Sequence, residues 1–207
     1  MAAFRPFAIV GAAFFLGLEA SAAMGAEPAE ERLFLHFADL AGLTSMTLDQ
    51  VTCRVGELLR PIGVSVESGR IEPGEEDRLA GGVIVTLLAR SPGWPDAGGG
   101  IAGAAGLASS RQRTVWVIPA RVAAALDLDF ASRSLWHPLD RARFARAVAV
   151  VVAHEIVHVL LGVEHRGTGL LAPRLSVRTL TDPSVRFDPD LAPALHRAMA
   201  TLRAPSP

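Results

Sequence analysis

Hydrophobic residues follow two spacings along this chain, and each predicts a different element. Alternating or continuous apolar runs bounded by glycine or charged residues are typical of strands. Apolar residues three or four apart, ending at Pro or Gly, are typical of helices. The predicted strands are residues 32–38, 63–67, 83–88, 101–108 and 114–118, and the predicted helices are residues 44–60, 119–126, 140–161 and 189–202. The polar, Pro-rich and Gly-rich stretches between them predict loops at residues 68–80, 91–100, 127–138 and 162–188. This order predicts one α/β (α+β) domain.

Length and composition limit the classes of function. The chain has 207 residues, of which 50% are hydrophobic and 20% are charged, enough for one domain with a packed core. It carries 20 Arg, no Lys and 21 acidic residues, for a formal net charge of -1. Nucleic-acid-binding domains normally have an excess of basic residues. We therefore expect no nucleic-acid partner.

The amino-terminal 26 residues have the pattern of a signal peptide. Arg5 supplies the positive charge, residues 7–18 form the apolar core, and the small residues 20–23 offer cleavage sites. The apolar run is shorter than the roughly 20 residues that a membrane span needs. We expect a secreted or periplasmic domain at residues 27–207, with no membrane span after cleavage. An uncleaved membrane anchor is the alternative left open.

Cys53 is the only cysteine, so an intrachain disulfide is excluded. It lies in a predicted helix, where a free cysteine usually behaves as a small buried hydrophobic residue. The sequence therefore favours a buried thiol over a reactive one.

The stretch from Ala153 to His165, AHEIVHVLLGVEH, contains the residues that suggest chemistry. His154 and His158 stand four residues apart, so a helix places both imidazoles on one face, about one turn apart. Two such nitrogens can bind one tetrahedral Zn²⁺. Glu155 is offset around the helix, where its carboxylate can act as a general base toward water at the metal. Two histidines and a glutamate in apolar sequence would be costly to bury without partners or a metal.

The third metal ligand has two candidates after the helix. Gly162 is the natural end of the helix, and His165 follows it by three residues, the Gly-x-x-His spacing that follows such zinc helices. Glu164 is the neighbouring residue and is also an acceptable zinc ligand. The spacing favours His165, and Glu164 stays open.

The segment from His154 to His165 resembles the metzincin signature H-E-x-x-H-x-x-G-x-x-H, and the matrixin-like zincins in particular. The chain is also similar to small exported bacterial proteins in which a Gly-Ile-Met-like segment follows the last histidine, matched here by residues 169–171. This resemblance implies a zincin-like domain: a twisted, mostly parallel sheet with an antiparallel edge strand, an active-site helix and a carboxy-terminal helix. It implies a zinc metallopeptidase that binds polypeptide along the edge strand at residues 101–107.

Three departures from the metzincin pattern bear on activity. First, one extra residue separates His158 from Gly162. Second, Leu170 and Leu171 occupy the region where metzincins have a methionine after the third ligand. Third, the chain has no tyrosine. Leu and Met have similar volumes, so packing beneath a metal can be kept. Arg166 or His137 could replace a tyrosine that assists the transition state in relatives, although both suit a surface position.

Two functions follow from these residues. The first is a zinc-dependent endopeptidase in which Glu155 is the general base. The second is a zinc-binding pseudo-peptidase that serves as an interaction module. The sequence predicts structural or exposed roles for His36 and His196, and it leaves the oligomeric state open.

Overall fold

The computed structural model describes residues 31–71, 82–90, 105–162, 165 and 169–203, with side chains described up to Thr201. The predicted signal peptide, residues 101–104 of the predicted edge strand, Glu164 and Arg166 lie outside the described residues.

Five strands form one mixed sheet in the order β2-β1-β3-β5-β4. Strands β2, β1, β3 and β5 run parallel to their neighbours, and β4 pairs antiparallel with β5 at one edge. The strands are β1 Glu31–Asp39, β2 Val64–Arg70, β3 Val83–Leu87, β4 Gly106–Ser109 and β5 Thr114–Val117. The predicted fold class is confirmed as an α/β domain whose sheet is mostly parallel with an antiparallel edge strand.

Within the described residues five α-helices accompany the sheet, and two of them lie near the positions predicted for the active-site and carboxy-terminal helices. The helices are α1 Ser45–Leu59, α2 Pro119–Ala125, α3 Pro138–Leu161, α4 Val177–Thr181 and α5 Ala192–Arg203. Short 3-10 helices occupy Arg60–Ile62, Phe130–Leu135, Gly169–Leu171 and Pro189–Leu191.

Helix α1 covers the sheet with one face. The Thr44 hydroxyl caps it by accepting a hydrogen bond from the Thr47 backbone N–H at 3.2 Å. Its apolar residues repeat at helical spacing and are buried: Leu48, Val51, Val55, Leu58 and Leu59. The chain then turns at Gly63, whose φ of 78° lies in the left-handed region that glycine adopts at little cost, and enters β2.

Helix α3 is the central element of the core. All of residues 147–157 are buried, because α3 contacts α1, α4 and α5 as well as β4 and β5. By length and composition α3 could cross a membrane, but most of it lies inside the domain. A helix that is apolar on all sides is expected in this position. Its carboxy-terminal turns carry the polar residues of the predicted site into the edge of the core.

Four local predictions differ from the structure. Cys53 is exposed on the outer face of α1, so the predicted burial was wrong. Residues 68–70 extend β2 rather than starting a loop, because they pair with the buried strand β1. The loops predicted around residues 127–138 and 162–188 contain a 3-10 helix at Phe130–Leu135 and helix α4, each too short to show a helical repeat.

Candidate metal centre

His154 and His158 occupy consecutive turns of α3, close to its carboxy-terminal end. Their ring centroids are 4.6 Å apart, and the two Nε2 atoms are 3.1 Å apart. Two nitrogens that each lie about 2.0–2.1 Å from one tetrahedral zinc are separated by about 3.3–3.4 Å. The two imidazoles therefore already stand near the spacing that a shared metal ion requires.

A tight turn after α3 brings a third imidazole to this pair. Gly162 ends the helix with a φ of 57°, and its N–H bonds the His158 carbonyl at 2.9 Å. The ring of His165 lies 5.4 Å from that of His154 and 4.6 Å from that of His158, measured between centroids. One ligand nitrogen from each histidine falls within 4.8 Å of the others, so this group could hold a metal ion.

The orientation of His154 is fixed by a backbone carbonyl. Its Nδ1 donates to the Leu170 oxygen at 2.5 Å, from the 3-10 helix Gly169–Leu171 that follows the predicted ligand loop. A proton held on Nδ1 leaves Nε2 with its lone pair toward His158 and His165, the arrangement found for metal-bound histidines. This bond could not be predicted from the sequence, since every residue has a backbone carbonyl and the bond leaves no residue pattern.

Burial favours the neutral, metal-binding form of His154. The side chain is 4% exposed, and this desolvation lowers its pKa to about 4, against a smaller opposing effect of the Leu170 carbonyl. The nearby His158 and His165 also lower this pKa through charge repulsion. His154 is therefore unprotonated near neutral pH and could bind a metal ion without first losing a proton.

The donor set fits zinc. Three imidazole nitrogens leave a fourth tetrahedral position open, as in catalytic rather than structural zinc sites. Exposure rises from the buried His154 through the half-buried His158 to the exposed His165, so the open side faces solvent. Imidazole also suits copper, nickel and iron, and the geometry alone does not choose among these metals.

Glu155 lies beside the histidines, in the crevice between α3 and the edge strand β4. It is 7% exposed, and burial raises the pKa of its carboxyl to about 8. A Cβ atom added to Gly106 would lie 2.6 Å from Glu155 Oε1 and 2.9 Å from Val151 Cγ1. The absent side chain of Gly106 is therefore what lets β4 approach Glu155. This role of Gly106 was not predicted, because several glycines precede β4 in the sequence and none stands out.

The remaining histidines lie elsewhere in the domain. His137 precedes His154 by 17 residues on or beside α3, a distance of about 25 Å along the helix axis, and it caps the helix by accepting from Leu139 N–H. It is therefore too distant to take the place of a tyrosine at the site. His36 lies in β1, 4.6 Å from Phe34 between ring centroids, and His196 on α5 packs against Gly63.

Leu170 and Leu171, the residues matched to the methionine region in the sequence, are both buried. Leu170 also supplies the carbonyl that accepts from His154. Leu170 therefore orients the histidine, and both leucines add to the core.

Comparisons with known proteins find similarity in structure but not in sequence. No family profile matches the chain, and no curated protein sequence matches it. Among solved structures, archaemetzincin (amzA) from Methanopyrus kandleri is similar over 84% of this chain and 98% of its own, with a TM-score of 0.49 and 16% identity. At that level of identity and superposition the likeness supports no functional assignment, and the assignments below rest on the geometry around the three histidines.

Proposed function

We propose that this protein is a zinc-dependent endopeptidase in which His154, His158 and His165 hold the metal and Glu155 is the general base. The observation that carries the proposal is the convergence of three imidazoles. Two of them lie on the same helix as the buried carboxylate of Glu155. A structural zinc site has no use for a base and is usually closed by four protein ligands. Three ligands with an adjacent acid fit catalysis better.

The metal, Glu155 and Leu170 each have a separate role in the proposed reaction. Zinc, when bound, would supply Lewis acidity and lower the pKa of a water ligand to about 7. Glu155 takes a proton from the attacking water at a carboxylate oxygen and later gives it to the leaving amine nitrogen. The Leu170 carbonyl holds His154 in one tautomer throughout.

The substrate we propose is an extended polypeptide. Strand β4 is the edge of the sheet, antiparallel to β5, and Gly106 in β4 lies against Glu155. A peptide that pairs with a sheet edge gains main-chain hydrogen bonds without a particular side-chain sequence. Leu107, 47% exposed on β4, offers an apolar contact. Together these features support cleavage of polypeptide chains, with a secreted or periplasmic location from the predicted signal peptide.

The family proposed is the metzincins, with matrixin-like small exported bacterial zincins as the narrower group. The support is the motif from His154 to His165 and the buried position of Leu170 and Leu171 where the methionine turn is expected.

The first test is zinc content and peptide cleavage by the purified protein. We expect one zinc per chain and cleavage of a mixed peptide library. Glu155→Gln should keep the zinc and lower kcat by about 10²–10⁴, the usual contribution of a general base. Glu67→Gln, at an exposed carboxylate of β2, is the matched control and should cleave like the wild type. Equal cleavage by Glu155→Gln would contradict the role of this residue.

The third ligand is tested by a pair of alanine variants. His165→Ala should weaken zinc binding at least 10-fold, and Glu164→Ala should leave zinc affinity within about twofold. The reverse result would assign the third position to Glu164.

A zinc-binding pseudo-peptidase is the second candidate function. It is favoured by the absence of tyrosine and by leucine in the place of the turn methionine. One bound zinc per chain without cleavage of any library peptide would favour this function over the first.

A further inference from the structure

A cavity lies at the opposite end of α3 from the histidines. It has a volume of about 590 Å³ and is enclosed by the start of α1, the 3-10 helix Phe130–Leu135 and the first turns of α3. Small-molecule sites usually have about 300–1,000 Å³. Phe144, in its wall, precedes His154 by 10 residues, which is about 15 Å along the helix. The cavity is therefore separate from the candidate metal centre.

One wall of this cavity is aromatic and firmly held. The rings of Trp136 and Phe144 meet edge to face, with centroids 5.0 Å apart, and Trp136 Nε1 donates to the Asp129 carbonyl at 3.0 Å. Met46, which also lines the cavity, is 66% exposed. A flexible apolar side chain facing a rigid aromatic wall is suited to an apolar ligand.

Two arginines line the same cavity without acidic partners. Arg133 donates to the Phe130 and Gly42 carbonyls, at 3.2 Å each. Arg141 donates to the Trp136 and Ser134 carbonyls, at 3.0 and 3.1 Å. Within the described ranges neither arginine forms an ion pair. Because a guanidinium has five N–H donors, each arginine keeps donors for a further acceptor.

The positive end of α1 adds to this charge. Thr44, its cap, and Thr47 line the cavity, and the first turn of α1 contains no acidic residue. The partial positive charge of a helix amino terminus is thus not offset locally. The cavity combines apolar walls with two arginines and the amino terminus of a helix.

We propose that this cavity binds an amphipathic carboxylate, a free fatty acid whose head group pairs with Arg133 and Arg141 and whose chain covers Met46 and Trp136. Arginine binds carboxylates through paired N–H donors, which favours this head group. The lining residues belong to helices and to the irregular segments beside them, and none belongs to a strand. The cavity therefore offers no strand edge to pair with a peptide backbone, and an acyl chain needs no such partner. A free acid therefore fits better than a peptide carboxy terminus.

The test is calorimetric titration of the full-length protein with decanoate, with decanol and an apolar hexapeptide as comparison ligands. We expect saturable decanoate binding, at least 10-fold weaker decanol binding and no competition by the peptide. Raising the salt concentration should weaken decanoate binding, since the head-group contacts are ionic. Equal affinity for decanoate and decanol, no saturable decanoate binding, or displacement of decanoate by the peptide would each overturn the proposal.

Three variants locate the site. Arg141→Gln should weaken decanoate binding at least 10-fold, and Arg143→Gln, an exposed arginine two residues further along α3, should change it less than twofold. Because Arg141 also anchors two carbonyls, Met46→Glu provides a second variant at an exposed position, where the new charge should repel the carboxylate. Wild-type decanoate affinity in both Arg141→Gln and Met46→Glu would show that the acid binds elsewhere.

Discussion

The backbone of Gly106 packs directly against the side chain of Glu155, with no room between them for another atom. Any Cβ at residue 106 would overlap Oε1 and Cγ of Glu155 as well as Val151. At the scale of single residues, the position of the proposed base thus depends on a glycine in a neighbouring strand. Leu170 has a comparable influence on His154, exerted through its carbonyl rather than its side chain.

Gly106→Ala should displace Glu155 without removing a metal ligand. We expect a stability loss of about 1–3 kcal/mol from overpacking, a fall in kcat of at least 10-fold, and unchanged zinc stoichiometry. Gly56→Ala in α1 is the control, because a Cβ there meets only Val66 at 3.8 Å. It should raise stability by about 0.5–1 kcal/mol. Urea denaturation measures the stability of the two variants, and peptide cleavage measures their kcat. A wild-type kcat in Gly106→Ala would contradict the role of Gly106 in positioning Glu155.

The metal-free protein should lose stability as the pH rises, because of Glu155. Burial raises its folded-state pKa to about 8, above its ordinary value of 4.5, so the stability present below pH 4.5 is lost as the pH rises through 8. Compared with Glu155→Gln, metal-free wild type should lose about 3–5 kcal/mol between pH 4.5 and pH 8.5. His154, whose lowered pKa costs stability below pH 6.5, is present in both proteins and cancels in the difference. Parallel stability curves for the two proteins, from urea denaturation in chelator, would contradict this expectation.

At the scale of elements, the end of α3 determines where the third histidine lies. Gly162 has a left-handed φ of 57°, and a Cβ added there would meet nothing within 4 Å. Substitution at this residue therefore acts through backbone strain alone. His165, three residues after Gly162, lies with His154 and His158 although one extra residue separates His158 from the glycine.

Gly162→Ala should destabilise the protein by about 1 kcal/mol, because alanine is strained in the left-handed region. It should also weaken zinc binding, since the His165 loop follows this turn. Gly162→Asn is the matched variant. It should lose less stability and less zinc affinity than Gly162→Ala, because asparagine tolerates the left-handed conformation better. Denaturation and zinc titration test the pair, and indistinguishable behaviour of the alanine variant and the wild type would refute the role of the turn.

The sequence predicted those elements whose patterns are long and local. The apolar period of α1, the continuous run of β3, the HExxH spacing and the stop at Gly162 each occupy neighbouring residues. Contacts between distant residues left no such pattern: the Leu170 carbonyl on His154 and Gly106 against Glu155 depend on the packed fold. Cys53 was misassigned because the general preference of free cysteine for burial was applied to a residue two positions from both Val51 and Val55, which is off the buried face of α1.

At the scale of the whole molecule, the metal centre joins parts of the chain that would separate on unfolding. α3 supplies two histidines, the following loop a third, and the Gly169–Leu171 segment a carbonyl. A metal bound there would bind the folded state in preference to the unfolded chain.

Zinc should therefore raise the thermal stability of the protein. At a free zinc concentration 100 times Kd the stabilisation is about 2.7 kcal/mol, a Tm increase of roughly 5–10 °C for a domain of this size. His154→Ala should lose this increase. His137→Ser, which removes a histidine but keeps a helix-capping side chain, should retain it. Differential scanning calorimetry with and without chelator measures the increase, and an equal zinc effect in His154→Ala would argue against the proposed ligand.

Strand β1 lies inside the sheet, between β2 and β3, although it is the earliest strand along the chain that the structure describes. Its second neighbour begins at Val83, and the helix that completes the core ends at Leu161. At 5–20 residues per second, the ribosome needs on the order of ten seconds to pass from β1 to the end of α3. During that time β1 can pair with β2, and α1 can pack on β2, but α3 is still missing from the core. The order of synthesis thus delays completion of the core until the carboxy-terminal half has been made.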